Sequence, residues 1–229
     1  MMRFKSSARG WRLLALAVVG ALTPFVAPVS RTVADDPVSV VKVEEHWSLL
    51  INVPDPSISS PQVSTQMAAS PWTSRFVNFH LNSCDIPSYA QGGLQLQAWR
   101  NDVNLAVMTS PSRATMSTSN ELVEWTQYLK QDGTGLTFGI ASGASSQTWG
   151  DFSGVEVQIS GSSPVLDNYS ADYSQQNSGI TFGANRVLSL VLVWTKISYS
   201  DGSVQTDNTP RVIYSAPLTG SGGSGSGGQ

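Results

Sequence analysis

Two short stretches of the sequence carry carboxylates close enough together to suggest catalysis. Glu44 and Glu45 are adjacent, and Glu121 and Glu124 are three residues apart. Glycoside hydrolysis needs two carboxyl groups about 5–10 Å apart across a cleft. Adjacent residues on a strand point to opposite faces, so Glu44 and Glu45 cannot form such a pair. Glu121 and Glu124 also face opposite ways if their segment is a strand, and a catalytic pair must then come from different strands.

The remaining chemistry-bearing residues match no catalytic or metal-binding motif. The two histidines, His46 and His80, are isolated, and no Gly-x-Ser-x-Gly elbow supplies a serine nucleophile. No pair of histidines or cysteines has zinc-ligand spacing. The acidic turns at 167–172 and 201–207 offer oxygens to calcium, but they contain no EF-hand or repeat-type motif. We therefore predict no catalytic residue, no metal ligand and no cofactor.

The tryptophans give the one binding hypothesis. Trp47, Trp125 and Trp194 lie in strand-like segments and are expected in the core. Other tryptophans lie in loop-like sequence or, in one case, on the polar face of a strand beside two glutamines. Flat aromatic rings next to amides suit sugar rings, by stacking and by hydrogen bonds to hydroxyls; the alternative is that each ring covers an edge of the fold. The predicted ligand-binding residues are Trp72, Gln95, Gln97, Trp99 and Trp149.

Alternating apolar and polar residues predict that strands position these side chains. The clearest segments are 41–53, which Pro54 ends, and 93–100, which places Trp99 with the glutamines. Glu45 falls on the apolar face of the first segment. It is therefore either a buried acid with a raised pKa or a residue at the edge of the core. Segment 187–199 is nearly all apolar, as in a central strand. The other candidates are 75–81, 103–108, 136–142, 155–160, 204–206 and 211–214.

Segment 121–131 fits a helix or a strand. Leu122, Trp125 and Leu129 have helical spacing, but the segment also alternates, and Asp132-Gly133 favours a hairpin to the strand that starts at Leu136. We therefore predict a strand.

Ten or eleven strands without βα alternation or repeats predict a single antiparallel two-sheet β-sandwich, jelly-roll-like, with an immunoglobulin-like sandwich as the alternative. The stretch 136–143, with Thr148-Trp149-Gly150, resembles strands of concanavalin-like jelly rolls. That resemblance implies the fold alone, because the Glu-x-Asp-x-Glu pattern of the glucanases of that fold is absent.

The N-terminus has the three parts of a secretory signal peptide. Four basic residues precede a short apolar run, and Thr32-Val33-Ala34 gives a small-x-small cleavage site. The run of about ten residues is half of what a membrane-spanning helix needs. We predict a signal peptide at 1–34, a sandwich domain at 35–217 and a disordered Gly/Ser-rich tail at 218–229.

Charge and cysteine content restrict the partners. Of 13 Lys and Arg residues, five precede Asp35, which leaves eight against 16 acidic residues and a net charge of −8 after cleavage. This charge opposes binding to nucleic acid and to anionic lipid. Cys84 is the single cysteine, so the domain has no internal disulfide; the thiol is either a small buried hydrophobe or a link between two chains.

Together these features predict an exported, non-catalytic domain that is extracellular, periplasmic or at the cell surface, without stable membrane insertion. Its expected partner is a polysaccharide or an envelope protein. The alternatives are a carbohydrate-active enzyme, whose carboxylates assemble only in three dimensions, and a structural protein of a surface assembly.

The predicted signal peptide can be tested directly. N-terminal sequencing of protein recovered outside the cytoplasm should begin at Asp35, because cleavage follows Ala34. An intact Met1 terminus in that fraction would contradict the assignment.

Overall fold

The computed structural model describes residues 37–52, 61–70, 74–83, 93–110, 120–133, 135–147, 150–160 and 165–217. These residues belong to a compact unit that begins at Pro37. Several predicted features lie outside the described residues: the signal peptide (1–34), Trp72, Cys84, Trp149 and the tail (218–229).

The described ranges contain twelve strands and one short α-helix. The strands are β1 (Val40–Ile51), β2 (Gln62–Met67), β3 (Arg75–Ser83), β4 (Gly93–Arg100), β5 (Val103–Thr109), β6 (Leu122–Asp132), β7 (Gly135–Ser145), β8 (Glu156–Ile159), β9 (Gly179–Phe182), β10 (Val187–Tyr199), β11 (Val204–Asp207) and β12 (Arg211–Ser215). A 3-10 helix (Leu166–Asn168) and α1 (Ala171–Asn177) lie between β8 and β9, and a second 3-10 helix (Ala184–Arg186) precedes β10.

The strands form two antiparallel sheets. The large sheet has the order β11-β10-β1-β6-β7-β8, with β12 also paired to β10, and the small sheet has the order β5-β4-β3-β2-β9. The predicted all-β two-sheet sandwich is therefore confirmed. The twelve described strands are more than the seven to nine of an immunoglobulin-like sandwich, so this alternative is disfavoured. The jelly-roll assignment stays a prediction.

The core lies between the sheets because each strand presents its apolar alternate residues inward. Trp47 and Trp125, on neighbouring strands of the large sheet, are fully buried with their rings nearly parallel at 6.2 Å. Phe79 of the small sheet meets Trp125 edge-on at 5.6 Å. The segment 121–131, which also fitted a helix, is strand β6, and it forms the predicted hairpin with β7.

The prediction that Trp194 belongs to the core is wrong. Trp194 is half-buried on the outer face of the large sheet, where it stacks on His46 at 5.1 Å. Along β10, Leu190 and Leu192 point inward, and simple alternation would place Trp194 inward too. The β1–β10 register shifts by one residue at Val193, and this β-bulge moves Trp194 to the outer face.

Two strands, β2 and β9, and the helix α1 have no counterpart among the sequence predictions, and neither do the two 3-10 helices. The strands β2 and β9 pair with each other at the edge of the small sheet, and α1 packs beside β2. Both strands are short, and their position depends on contacts with distant parts of the chain rather than on a strong local pattern.

Gly143 of β7 marks a close approach in the core. The ring of the buried Phe152 lies over this residue, and a Cβ atom at position 143 would come within 2.3 Å of it. The backbone N–H of Phe152 also donates to the Gly143 carbonyl at 2.8 Å, which holds the ring in place.

Replacing Gly143 with alanine should therefore destabilise the domain by about 1–3 kcal/mol, because the added methyl overpacks the core. Urea unfolding measures the loss. Gly179→Ala is the matched control, since a Cβ atom there meets nothing within 4 Å. Equal midpoints for the two variants would show that the Phe152 ring shifts freely, contrary to this expectation.

Candidate functional site

The structure brings together three of the five predicted ligand-binding residues. Gln95, Gln97 and Trp99 follow one another on the outward face of β4, while Leu96 and Ala98 between them point into the core. The other two, Trp72 and Trp149, lie outside the described residues.

Neighbouring strands extend this row into a surface. Asn78 of β3 is paired in register with Gln97 on one side and with Gln66 of β2 on the other, so three amide side chains stand in one row across three strands. Phe76 pairs with Trp99 in the next row. We call this surface the amide face and define it by seven outward residues: Gln66, Phe76, Asn78, His80, Gln95, Gln97 and Trp99.

A directed chain of hydrogen bonds orders the amide face. Trp99 Nε1 donates to Gln97 Oε1 at 2.8 Å, and an indole N–H can only donate, so the Gln97 atom it meets is the oxygen. Gln97 Nε2 then donates to Gln95 Oε1, and Gln95 Nε2 donates to Thr109 Oγ1 at 3.0 Å. The orientation of both amides therefore follows from the one indole.

His80 joins the same chain as a neutral group. Its Nε2 lies 3.3 Å from Gln97 Oε1, and since that oxygen accepts, the proton sits on Nε2 and leaves Nδ1 as an acceptor. Burial lowers the pKa of His80, partly opposed by this hydrogen bond, so the imidazole is uncharged at neutral pH. The sequence places only Arg75 and Arg100 as charged residues on β3 and β4, and both stand at the strand ends.

The aromatic pair lies at one end of the amide face. The rings of Phe76 and Trp99 are nearly parallel, 12° apart, with centroids 6.3 Å apart. At a plane separation of about 3.5 Å this distance means a large offset, so the two rings overlap little. Both side chains are half-buried, and the cavity behind them, about 20 Å³, holds no more than a water molecule. A ligand would therefore meet these rings at the surface.

One atom of the amide face has no internal partner. Asn78 Oδ1 is buried and accepts no hydrogen bond from the described residues. Buried carbonyl oxygens are nearly always hydrogen-bonded, often to an ordered water, so this acceptor marks a polar position in the centre of the amide row.

The outer face of the large sheet is different, because it is charged. Glu44 pairs with Lys42 at 2.8 Å and with Lys196 at 3.0 Å. Burial raises the pKa of Glu44, but the two lysines outweigh burial and leave it below its usual value. Further along the same row, the Tyr128 hydroxyl donates to Glu156.

A shallow depression of about 340 Å³ lies on this charged face. His46, Glu124, Asp151 and two serines line it. His46 Nδ1 lies 3.0 Å from Thr126 Oγ1 and Nε2 lies 3.9 Å from Glu124 Oε1, an order of hydroxyl, imidazole and carboxylate that resembles a nucleophile relay. Thr126 is only 6% exposed, however, so little of this residue is accessible to a substrate.

Glu45, the acid predicted on the apolar face of β1, is fully buried. Its Oε2 accepts from Trp47 Nε1 at 3.0 Å and from Gln127 Nε2 at 2.8 Å. Its Oε1 accepts from the hydroxyls of Tyr169, at 2.7 Å, and Ser174. Burial raises the pKa of Glu45, and these four donors oppose the rise without cancelling it.

The predicted carboxylate pairs are separated as the sequence analysis expected. Glu44 lies outside and Glu45 inside, and Glu121 is fully buried whereas Glu124 is exposed. In the turns considered for calcium, Asp172 and Asp207 both bind Arg211. Among the described residues no cluster of His, Cys, Asp or Glu is arranged to hold a metal ion.

Sequence reasoning missed four members of the amide face: Gln66, Phe76, Asn78 and His80. Three of them alternate with Val77 and Phe79 on β3, so the pattern already placed them on a polar face. What the sequence lacked was the register that sets them beside β4.

Comparison with known proteins adds no assignment. No protein-family model matches the chain, and no curated protein matches it significantly. Within the part of the chain that the structure describes, no helix has the length and apolar character needed to cross a membrane.

The buried Glu45 should make the stability of the domain depend on pH. Its folded-state pKa lies above the ordinary 4.5, so its contribution to stability is complete below that pH and is lost as pH rises through the folded value. Wild-type protein should therefore lose stability relative to Glu45→Gln as pH is raised. Urea unfolding of both proteins over a pH series measures this difference.

Glu45→Ala is the companion variant. It leaves four donors without their acceptor and should cost more than about 3 kcal/mol. Parallel pH curves for wild type and Glu45→Gln would contradict the raised pKa of Glu45.

Proposed function

We propose that this protein is an exported, non-catalytic binding module whose amide face takes a neutral, hydroxyl-rich ligand of the glycan class. The observation that carries the proposal is the row Gln66–Asn78–Gln97 beside the Phe76–Trp99 pair. Amides provide both donors and acceptors for hydroxyl groups, and flat rings provide apolar contact for the C–H faces of a sugar. Export through the predicted signal peptide (1–34) is part of the same proposal.

The orientation of the hydrogen-bond chain supports a pre-organised site. Because Trp99 fixes the amides of Gln97 and Gln95, these side chains lose little freedom when a ligand binds. A site that is ordered before binding keeps more of its interaction energy as affinity. His80 Nδ1 is an acceptor, and it suits a hydroxyl donor of the ligand.

The charge distribution supports a neutral ligand. The outward residues of β3 and β4 between their terminal arginines are uncharged, and His80 is neutral. A charged ligand would lose its hydration there without gaining an ion pair. The charges of the large sheet, by contrast, pair with one another, as Glu44 does with Lys42 and Lys196.

The enzyme alternative receives less support from the described carboxylates. A general acid needs a raised pKa and contact with the substrate. Glu45 has the raised pKa, but it is 0% exposed and has four internal donors. Glu44 faces outward, but its pKa is lowered by two lysines.

The proposal is tested by titrating the protein with neutral polysaccharides (dextran, laminarin and hydroxyethyl cellulose) in isothermal calorimetry and in affinity electrophoresis. Wild-type protein should bind at least one of them, with nearly the same affinity at low and high salt because no ion pair forms. Gln97→Leu should weaken binding about tenfold or more, since it removes the centre of the amide row.

Gln158→Leu is the matched control, because it makes the same change at an exposed position of β8 in the other sheet. This variant should bind as wild type does. Melting curves of both variants separate loss of binding from loss of folding. Equal weakening by both variants, or binding that falls steeply with salt, would contradict the assignment of the amide face.

A further inference from the structure

Among the described strands, β5 is an edge of the small sheet. It pairs with β4 along one edge, and no other strand in the described ranges pairs with it. With seven residues it is longer than the other terminal strands β8, β9, β11 and β12, which have four or five. Unpaired N–H and C=O groups along such an edge are a template for another strand.

The side chains of β5 are apolar and exposed. Val103 is 57%, Leu105 38% and Val107 56% exposed. Eight large hydrophobic residues are exposed in the described part of the chain, and three of them fall within these five positions. Such clustering on one edge distinguishes β5 from the scattered exposed residues of an ordinary surface.

Most of the usual protections against strand pairing are absent from β5, whose one irregularity is the shift in its pairing with β4 near Leu105. The strand reads Val-Asn-Leu-Ala-Val-Met-Thr, with no charged residue, no proline and no glycine. The edge strands of the large sheet do carry charges, such as Glu156 on β8 and Asp207 on β11. Natural edge strands are normally kept short or charged to prevent association.

We propose that β5 pairs antiparallel with β5 of a second copy of this chain. The open backbone edge requires a strand as its occupant, and a strand of the same sequence fits for two reasons. It brings no charge to the contact, although the chain as a whole is acidic. A two-fold axis at Val107 also places Val107 opposite itself and Ala106 opposite Met108, so that apolar residues meet across the axis.

The pairing of β5 with β4 explains why we centre the proposed β5–β5 pairing at Val107. The β4–β5 pairing is regular from Ala106 to Thr109 and shifts between Asn104 and Ala106. A centre at Val107 therefore keeps the Val107–Val107 and Ala106–Met108 pairs within the regular half of the strand. Val107 is also paired with Gln97, so it lies on the side of the sheet that carries the amide face.

Pairing in this way gives a continuous ten-stranded sheet. Its two-fold axis is perpendicular to the sheet, so both amide faces lie on the same side. If the proposed function holds, one dimer presents two sites to one polymer, and avidity exceeds the affinity of a single site. The pairing itself does not depend on what the amide face binds.

Analytical ultracentrifugation of the full chain over a concentration series tests the pairing. The weight-average mass of wild-type protein should rise towards twice the monomer value. Val107→Lys should stay at the monomer value, because two lysines would stand directly opposite each other across the axis. Val204→Lys, at an equally exposed valine on β11, should associate as wild type does.

Cross-linking supplies an independent readout. In a Cys84→Ala background, Val107→Cys should form a disulfide-linked dimer on mild oxidation, and Val204→Cys should form far less. A wild-type chain that stays monomeric, a Val107→Lys variant that associates like wild type, or equal cross-linking at positions 107 and 204 would each overturn the proposal. Circular dichroism confirms that the variants are folded, which is expected since both valines are more than half exposed.

Discussion

The buried carboxylate of Glu45 is the constraint on which the rest of the core depends. An ionisable group without solvent contact costs several kcal/mol unless hydrogen bonds compensate for its lost hydration. Its four donors come from β1, from β6 and from the segment that contains α1. Gln127, one of these donors, in turn accepts from Thr65 of the small sheet at 2.6 Å. A single polar network therefore connects both sheets and the helical segment through the middle of the sandwich.

One local hydrogen bond, from a tryptophan indole N–H to a side chain two residues away, occurs both in this network and on the surface. Trp47 donates its indole N–H to Glu45, Trp99 donates to Gln97, and Trp125 donates to Gln127. In each case the partners are two residues apart, because side chains at that spacing share one face of a strand. In the core this hydrogen bond satisfies buried oxygen atoms. On the amide face the same geometry orients a row of glutamines, and a stabilising contact there also prepares a surface for hydrogen bonding.

The sequence predicted those parts of the fold that depend on local alternation and turns. The strands β4 and β10 and the hairpin of β6 with β7 are of this kind, and so is the row from Gln95 to Trp99. The sequence did not predict features that depend on register. A single bulge at Val193 was enough to move Trp194 from the core to the outer face. Similarly, Asn78 and His80 join the candidate site only through the pairing of β3 with β4. The helix α1 is defined less by its own sequence than by contacts such as Ser174 with Glu45.

The two sheets differ in the way their outer faces use polar side chains. On the large sheet, Glu44 satisfies two lysines and Glu156 accepts from Tyr128, so opposite charges and strong acceptors compensate one another within the molecule. On the small sheet, the hydrogen bonds run in one direction from Trp99 to Thr109 and leave an acceptor on Asn78 without an internal donor. The small sheet also ends in the uncharged edge strand β5. The proposed ligand-binding surface and the proposed pairing edge, one polar and one apolar, therefore both lie on the small sheet.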